Sequence, residues 1–294
     1  MFYLSPILFM KHIPFILALL LVFLTGSCSL EHQYEKFKST FEKDIQKLEQ
    51  LTDDTDKEDY LLFIGSSSIR RWYTIEDDMS PYSVVKRGYG GAHYYDLIHY
   101  VERLIKNKEK AKAVILFVAN DITGSSTKGK FHNDLTPFEI KKLFKAITQK
   151  IHKNLSDDMP IYVIETTPTP SRWRVWDQIA SANELIQSYS ETKSNLHFIP
   201  TRDAFLNQRG LPIGKYFVKD SLHLSEAGYD LWGEIIKKNL GTVATTAMMI
   251  MSAAHPLHKD LRLTAAIALN TESRRQNRVV NLCLLSLRTS CLLH

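Results

Sequence analysis

The sequence predicts an α/β fold with a central parallel sheet of about five strands. Two observations carry that prediction. Five short β-rich apolar runs alternate with four helical patterns across residues 60–240. The runs are also apolar at successive positions, not only at alternate ones, as strands buried on both faces require. Strands that alternate with helices form parallel sheets covered on both sides.

Each element has its own signal. Residues 31–50 are charged, with Phe37, Phe41, Ile45 and Leu48 at helical spacing, and predict an amphipathic helix. An acidic linker follows, so residues 29–59 stand apart from the body. The expected strands are Tyr60–Ile64, Ser83–Lys86, Ala113–Val118, Ile161–Glu165 and Leu196–Ile199. The expected helices are Tyr94–Lys106, Pro137–Lys153, Val175–Thr192 and Ser225–Asn239, the last capped by Ser225 and closed by Gly241. Ligand-binding loops of such sheets gather at the carboxyl ends of the strands. Gly65–Ser68, Gly88–Gly91, Asn120-Asp121 and Pro168–Trp176 all fall there.

Composition narrows the function classes. The chain of 294 residues has a formal net charge of +5. That excess comes from its two ends, and residues 31–240 carry equal numbers of basic and acidic side chains. No basic face of the size nucleic acid requires remains, and no nucleic-acid partner is expected. Lys11 and His12 precede the apolar run Ile13–Leu24, with small residues up to Cys28, so residues 1–28 read as an export signal. Met10 offers an alternative start. Leu24-Thr25-Gly26-Ser27-Cys28 resembles a bacterial lipoprotein processing site, which would make Cys28 a lipidated tether. The alternative is a plain secretory signal with an incidental cysteine. Either way the expected location is the bacterial periplasm or cell envelope. Cys283 and Cys291 lie in residues 241–294, a stretch without strand–helix rhythm that reads as a poorly ordered tail.

The chemistry concentrates in two distant segments. Tyr60–Ile64 runs into Gly65-Ser66-Ser67-Ser68, which puts small hydroxyl residues on a turn before a helix. Ser67 is the candidate nucleophile; the alternative is that the serines cap the helix or bind an anion. Asp220 and His223, three residues apart on a loop entering the last helix, offer an orienting carboxylate and a base. Alone, such a pair also fits a surface aspartate beside a capping histidine.

Four segments together resemble a known family. Gly65-Ser66-Ser67-Ser68, Gly88-Tyr89-Gly90-Gly91, Ala119-Asn120-Asp121 and Asp220-Ser221-Leu222-His223 are similar, in content and order, to the motifs of the SGNH hydrolases, also called GDSL-type esterases or lipases. Ser66 stands where the family name has aspartate, Val118 where glycine often precedes the asparagine, and Lys86 where asparagine often opens the glycine segment. The resemblance covers about residues 60–240. It implies a flavodoxin-like three-layer sandwich and a carboxylic-ester hydrolase, exported if residues 1–28 act as the signal they resemble. In it Ser67 is the nucleophile, His223 with Asp220 the acid–base pair, and Ser67, Gly91 and Asn120 the oxyanion-hole donors.

Other residues carry weaker signals. Arg172, Trp173 and Trp176 lie on a strand-end loop and are candidate substrate-binding residues, as is His93 after the glycine segment. Asp121 is expected to brace its own loop. No histidine or cysteine cluster has metal-ligand spacing, and Gly65–Ser68 lacks the lysine of a nucleotide-triphosphate loop, so neither metal nor cofactor is expected. The expected partner is a small-molecule or glycan ester. Two other functions fit the same segments: a flavodoxin-like binding module without chemistry, and an acetyl transferase acting on saccharides with the same residues.

Overall fold

The structure is a computed structural model that describes residues 30–53, 57–105, 110–124 and 134–241. The export segment with Cys28, and the tail beyond Gly241 with Cys283 and Cys291, lie outside the described residues. By contacts the chain divides into two units, Met1–Lys237 and Lys238–His294, and the contacts described below all lie in the first.

Five strands form one sheet: β1 (Tyr60–Gly65), β2 (Val84–Gly88), β3 (Ala111–Phe117), β4 (Ile161–Ile164) and β5 (Leu196–Ile199). Their order is β2-β1-β3-β4-β5 and every pairing is parallel. Strand β2 runs two residues past its expected end because its pairing with β1 continues to Gly65 opposite Gly88. β3 starts two residues early because Ala111 already pairs with Tyr60.

Two helical layers cover the sheet. On one face pack α1 (Glu42–Asp53), α3 (Tyr94–Leu104), α4 (Pro137–Asn154) and α5 (Trp176–Ser190), each touching the next in that order. They bury the side of the strands that carries Leu62, Ile64, Val114, Leu116, Ile161 and Val163. The other face carries Phe63 and Phe117. Phe63 meets Trp72, just after the single turn α2 (Ser67–Arg70), and Phe117 meets Trp232 of α6, the helix that starts at 226. Helix α4 shows why such elements are legible. Thr136 and Glu139 exchange capping hydrogen bonds around Pro137 at the first helical position.

One expectation is corrected here. Residues 31–50 do not form a single helix: a 3-10 turn at Glu35–Phe37 precedes α1. The Tyr100 hydroxyl accepts the Phe41 N–H at 3.1 Å, and this tertiary bond takes a donor that a continuous helix would give to Phe37. Tyr34 and Phe37 pack on Tyr95 instead.

Order reverses where β1 is followed across the sheet by β3, and the crevice beyond their carboxyl ends is where such sheets bind ligands. Gly65–Ser67 and Ala119–Asn120 stand at that crevice.

Candidate active site

The nucleophile turn is shaped by close backbone approach. A Cβ on Gly65 would lie 1.9 Å from the Phe117 carbonyl oxygen, and its φ of 153° is rarely adopted by L side chains. That same carbonyl accepts the Ser66 N–H at 2.9 Å, so β1 and β3 are locked where the turn begins. Ser66 is buried and Ser67 opens α2. From the far side, the Tyr229 hydroxyl donates to the Ser68 carbonyl at 2.9 Å, tying α6 to the turn.

The acid–base loop is a tight excursion pinched at its base by the Phe217–Leu224 bridge. Val218 N–H donates to His223 O and Ser221 N–H to Val218 O. Ser221 has a φ of 57°, in the left-handed region that costs a non-glycine residue about 1 kcal/mol. Asp220 Oδ1 accepts the backbone N–H groups of Leu222 and His223, each at 2.9 Å. Its Oδ2 stands 2.6 Å from His223 Nδ1, and His223 Nε2 stands 2.9 Å from Ser67 Oγ.

Electrostatics then assign the protons. Partial burial is the largest single influence on Asp220 and pulls its pKa up. The His223 backbone and side-chain hydrogen bonds and the Leu222 N–H together outweigh it and bring the carboxyl down to about 2. An ionised carboxylate only accepts, so the Nδ1 proton belongs to the Asp220 side and Nε2 is left to accept from the Ser67 hydroxyl. Arg71 Nη1 lies 3.9 Å from Asp220 Oδ2 and adds a weak, half-exposed contribution.

The third component is the pair of loops after β2 and β3. Gly91 has a φ of 79°, and the Phe41 ring approaches to 3.5 Å of where its Cβ would stand. Asn120 Nδ2 donates to the Ala92 carbonyl at 2.8 Å, which joins the two loops one residue from Gly91. The buried Asp121 carboxylate accepts the Tyr94 N–H through both oxygens, at 3.0 and 3.1 Å, at the start of α3. Burial pushes Asp121 up to about 7 against the opposing pull of His93 and the Tyr94 N–H. A cleft lined by Ser67, Asn120, Thr167, Thr169, Leu222 and His223, among others, opens over these parts. Among the described residues no three His, Cys, Asp or Glu side chains stand close enough to hold a metal ion.

The model of the GDSL-like lipase/acylhydrolase family matches residues 65–231, more than half of the chain. The chain belongs to this family. No curated protein matches it. Among solved structures, a Streptococcus pneumonia protein whose name refers to platelet activating factor is similar over 73% of this chain and 98% of its own, with 22% identity and a TM-score of 0.58. A Bacteroides fragilis protein named for acylhydrolase activity aligns over 68% of this chain and 96% of its own, at 21% identity and TM-score 0.52. A GDSL-like lipase from Bacteroides thetaiotaomicron aligns over 71% and 99%, at 17% identity and TM-score 0.53. At these identities the three likenesses speak to the fold.

Within this GDSL-like domain, the sequence motifs do not all land as expected. Ser67, Asp220 and His223 come together, and Asn120 lines the same cleft. Gly91 reaches this group through Ala92, the acceptor of the Asn120 amide. The four residues expected to contact substrate each meet protein groups. His93 caps α3, with Nδ1 at 3.2 Å from Asp96 Oδ2 and its ring stacked on Tyr95. Trp176 is buried beneath the Arg202 guanidinium, and Trp173 stacks on it at 5.8 Å. Trp176 opens α5, and Trp173 lies half-buried in the 3-10 turn before it. Arg172 lines the cleft, but its guanidinium donates to the Ala119 carbonyl and to Asn120 Oδ1. The Asp121 side chain braces the start of α3, while its backbone carbonyl accepts the Leu135 N–H at 2.8 Å within its own loop. Its position beside Asn120 was the available signal, but its target depends on a contact 27 residues away in sequence.

Proposed function

We propose that this GDSL-family chain hydrolyses acyl or acetyl esters through an acyl-Ser67 intermediate. The observation that carries the reading is the continuous Ser67–His223–Asp220 chain, with contacts of 2.9 and 2.6 Å. In the first half-reaction Ser67 Oγ attacks the ester carbonyl carbon as its proton passes to His223 Nε2. The tetrahedral intermediate collapses, the C–O bond to the alcohol breaks, and the alcohol leaves with the proton from Nε2. In the second, water gives a proton to Nε2 and its oxygen to the acyl carbon, and the Ser67 oxygen leaves with that proton. Asp220 stays ionised throughout and stabilises the imidazolium. The Asn120 amide and the backbone N–H groups of Ser67 and Gly91 are the donors proposed for the oxyanion.

The test is turnover of a short-chain activated ester by the purified chain and its Ser67→Ala variant. Activity in the wild type and a loss on the order of 10⁶ in kcat is expected, the scale seen when a serine nucleophile is removed. Unchanged turnover in Ser67→Ala would refute the assignment. Screening acyl length on plain esters and then acetylated sugars separates glycan deacetylation, phospholipid cleavage and general short-ester hydrolysis. A sugar acceptor that gains acetyl in place of water would redirect the reading to transfer.

Export and lipidation belong to the same proposal, on the strength of Ile13–Leu24 followed by Cys28. Metabolic labelling with a fatty acid in a bacterial host should mark the wild type and not Cys28→Ala. Equal labelling of both would refute the tether.

A further inference from the structure

Arg172 is a cation with only 9% of its surface exposed. Burying a guanidinium is costly unless its donors are engaged and a counter-charge stands nearby. Its hydrogen-bond partners here are neutral: Nη1 donates to the Ala119 carbonyl and Nη2 to Asn120 Oδ1, the latter at 2.7 Å. Burial lowers its pKa, with Asp121 and Asp134 pulling the other way. Arginine remains charged in proteins, so a positive charge is held directly behind the Asn120 amide.

The two bonds have a geometric consequence. Asn120 Oδ1 faces Arg172, and Nδ2 faces the Ala92 carbonyl. An amide nitrogen has two hydrogens, and the second is the one available to an oxyanion in the cleft that Asn120 lines. A planar fork bonded to Ala119 and Asn120 together fixes the amide plane, which lysine, a point donor, does less well. One residue earlier the Ser171 N–H donates to the Ser221 carbonyl at 3.0 Å. The 3-10 turn Pro170–Val175 thus grips both the oxyanion loop and the loop that carries Asp220 and His223.

We propose that Arg172 is a positioning residue, holding the Asn120 amide in register with Ser67 from a turn whose backbone also anchors the His223 loop. This rests on the acyl-Ser67 reading. The buried charge also polarises the amide toward the developing oxyanion, so its effect falls on the transition state and not on substrate capture.

The experiment is a double-mutant cycle between Arg172→Gln and Asn120→Ala, with Arg172→Lys as the conservative variant, assayed on p-nitrophenyl acetate across pH. Arg172→Gln should lower kcat by about 10–10²-fold with KM changed less than about 3-fold, and leave the shape of the pH profile unchanged. Arg172→Lys should recover part of the loss. In the Asn120→Ala background, Arg172→Gln should cost less than about 3-fold more, because the amide it positions is gone. Fully multiplicative losses, a change confined to KM, or an unchanged kcat would overturn the proposal. If Arg172→Gln does not fold, the same cycle is read with Arg172→Lys, with an expected kcat loss of about 3–10-fold and the same non-additivity. Ser67→Ala run alongside separates the two ideas. Retained turnover there defeats the acyl-serine reading, whereas an inactive Ser67→Ala with a multiplicative cycle defeats only the brace.

Discussion

Replacing Asp220 by asparagine isolates the electrostatic half of the acid–base pair. The new side chain can still accept the Leu222 and His223 N–H groups through its oxygen, so the loop keeps the bonds now measured at 2.9 Å. Its amide nitrogen, however, would replace the oxygen that stands 2.6 Å from Nδ1. A donor there forces Nδ1 to accept, moves the imidazole proton to Nε2, and leaves Ser67 facing a donor where it needs an acceptor. The expected loss is about 10³–10⁴ in kcat, the scale of a wrong tautomer in a serine triad. Stability should change little. The carboxyl is lowered from its ordinary 3.8 to about 2, so its contribution is present above the unfolded pKa and is lost as pH falls through the folded one. The full shift corresponds to ~2.4 kcal/mol. With the side chain 43% exposed, solvent screening reduces it to about 1 kcal/mol, lost between about pH 4 and 2. Steady-state kinetics and thermal melts of Asp220→Asn at neutral pH check both parts. A kcat within 10-fold of wild type in a folded variant would refute the tautomer argument.

Further predictions follow from the same contacts. Gly65→Ala must push a methyl group against the Phe117 carbonyl, which Ser66 holds in place, so a loss of ~3 kcal/mol or more is expected in chemical denaturation; a loss under ~1 kcal/mol would contradict the packing described. Asn120→Ala should lower kcat by about 10²–10³ with the protein still folded, as removal of one oxyanion donor does, and an unchanged kcat would remove Asn120 from the site.

Much of the fold was legible because its signals are local. The three central runs, β1, β3 and β4, are buried on both faces, and Thr136-Pro137 with Glu139 announces its helix within four residues. The meeting of Ser67 and His223 spans 156 residues. Four motifs in order could suggest it, but only the sheet order brings the ends of β1 and the 217–224 loop together. What the sequence hid depends on single tertiary hydrogen bonds. The Tyr100 hydroxyl breaks the 31–50 helix at Phe41, Asp121 turns to Tyr94, and Arg172 turns inward to Asn120. Periodicity cannot report any of these, since each residue type suits an exposed loop equally well. Trp176 is ambiguous for a related reason: a tryptophan near a strand end fits a substrate wall or a helix's buried face, and here it opens α5 with its ring buried under Arg202.

The most direct test is to quench the purified chain during turnover of an activated acetyl ester and map the acyl group by peptide mass spectrometry. One acetyl group is predicted on the peptide containing Ser67, more of it in a variant with slowed deacylation, and none in Ser67→Ala. Acetyl found on another residue, or steady turnover in Ser67→Ala, would contradict it.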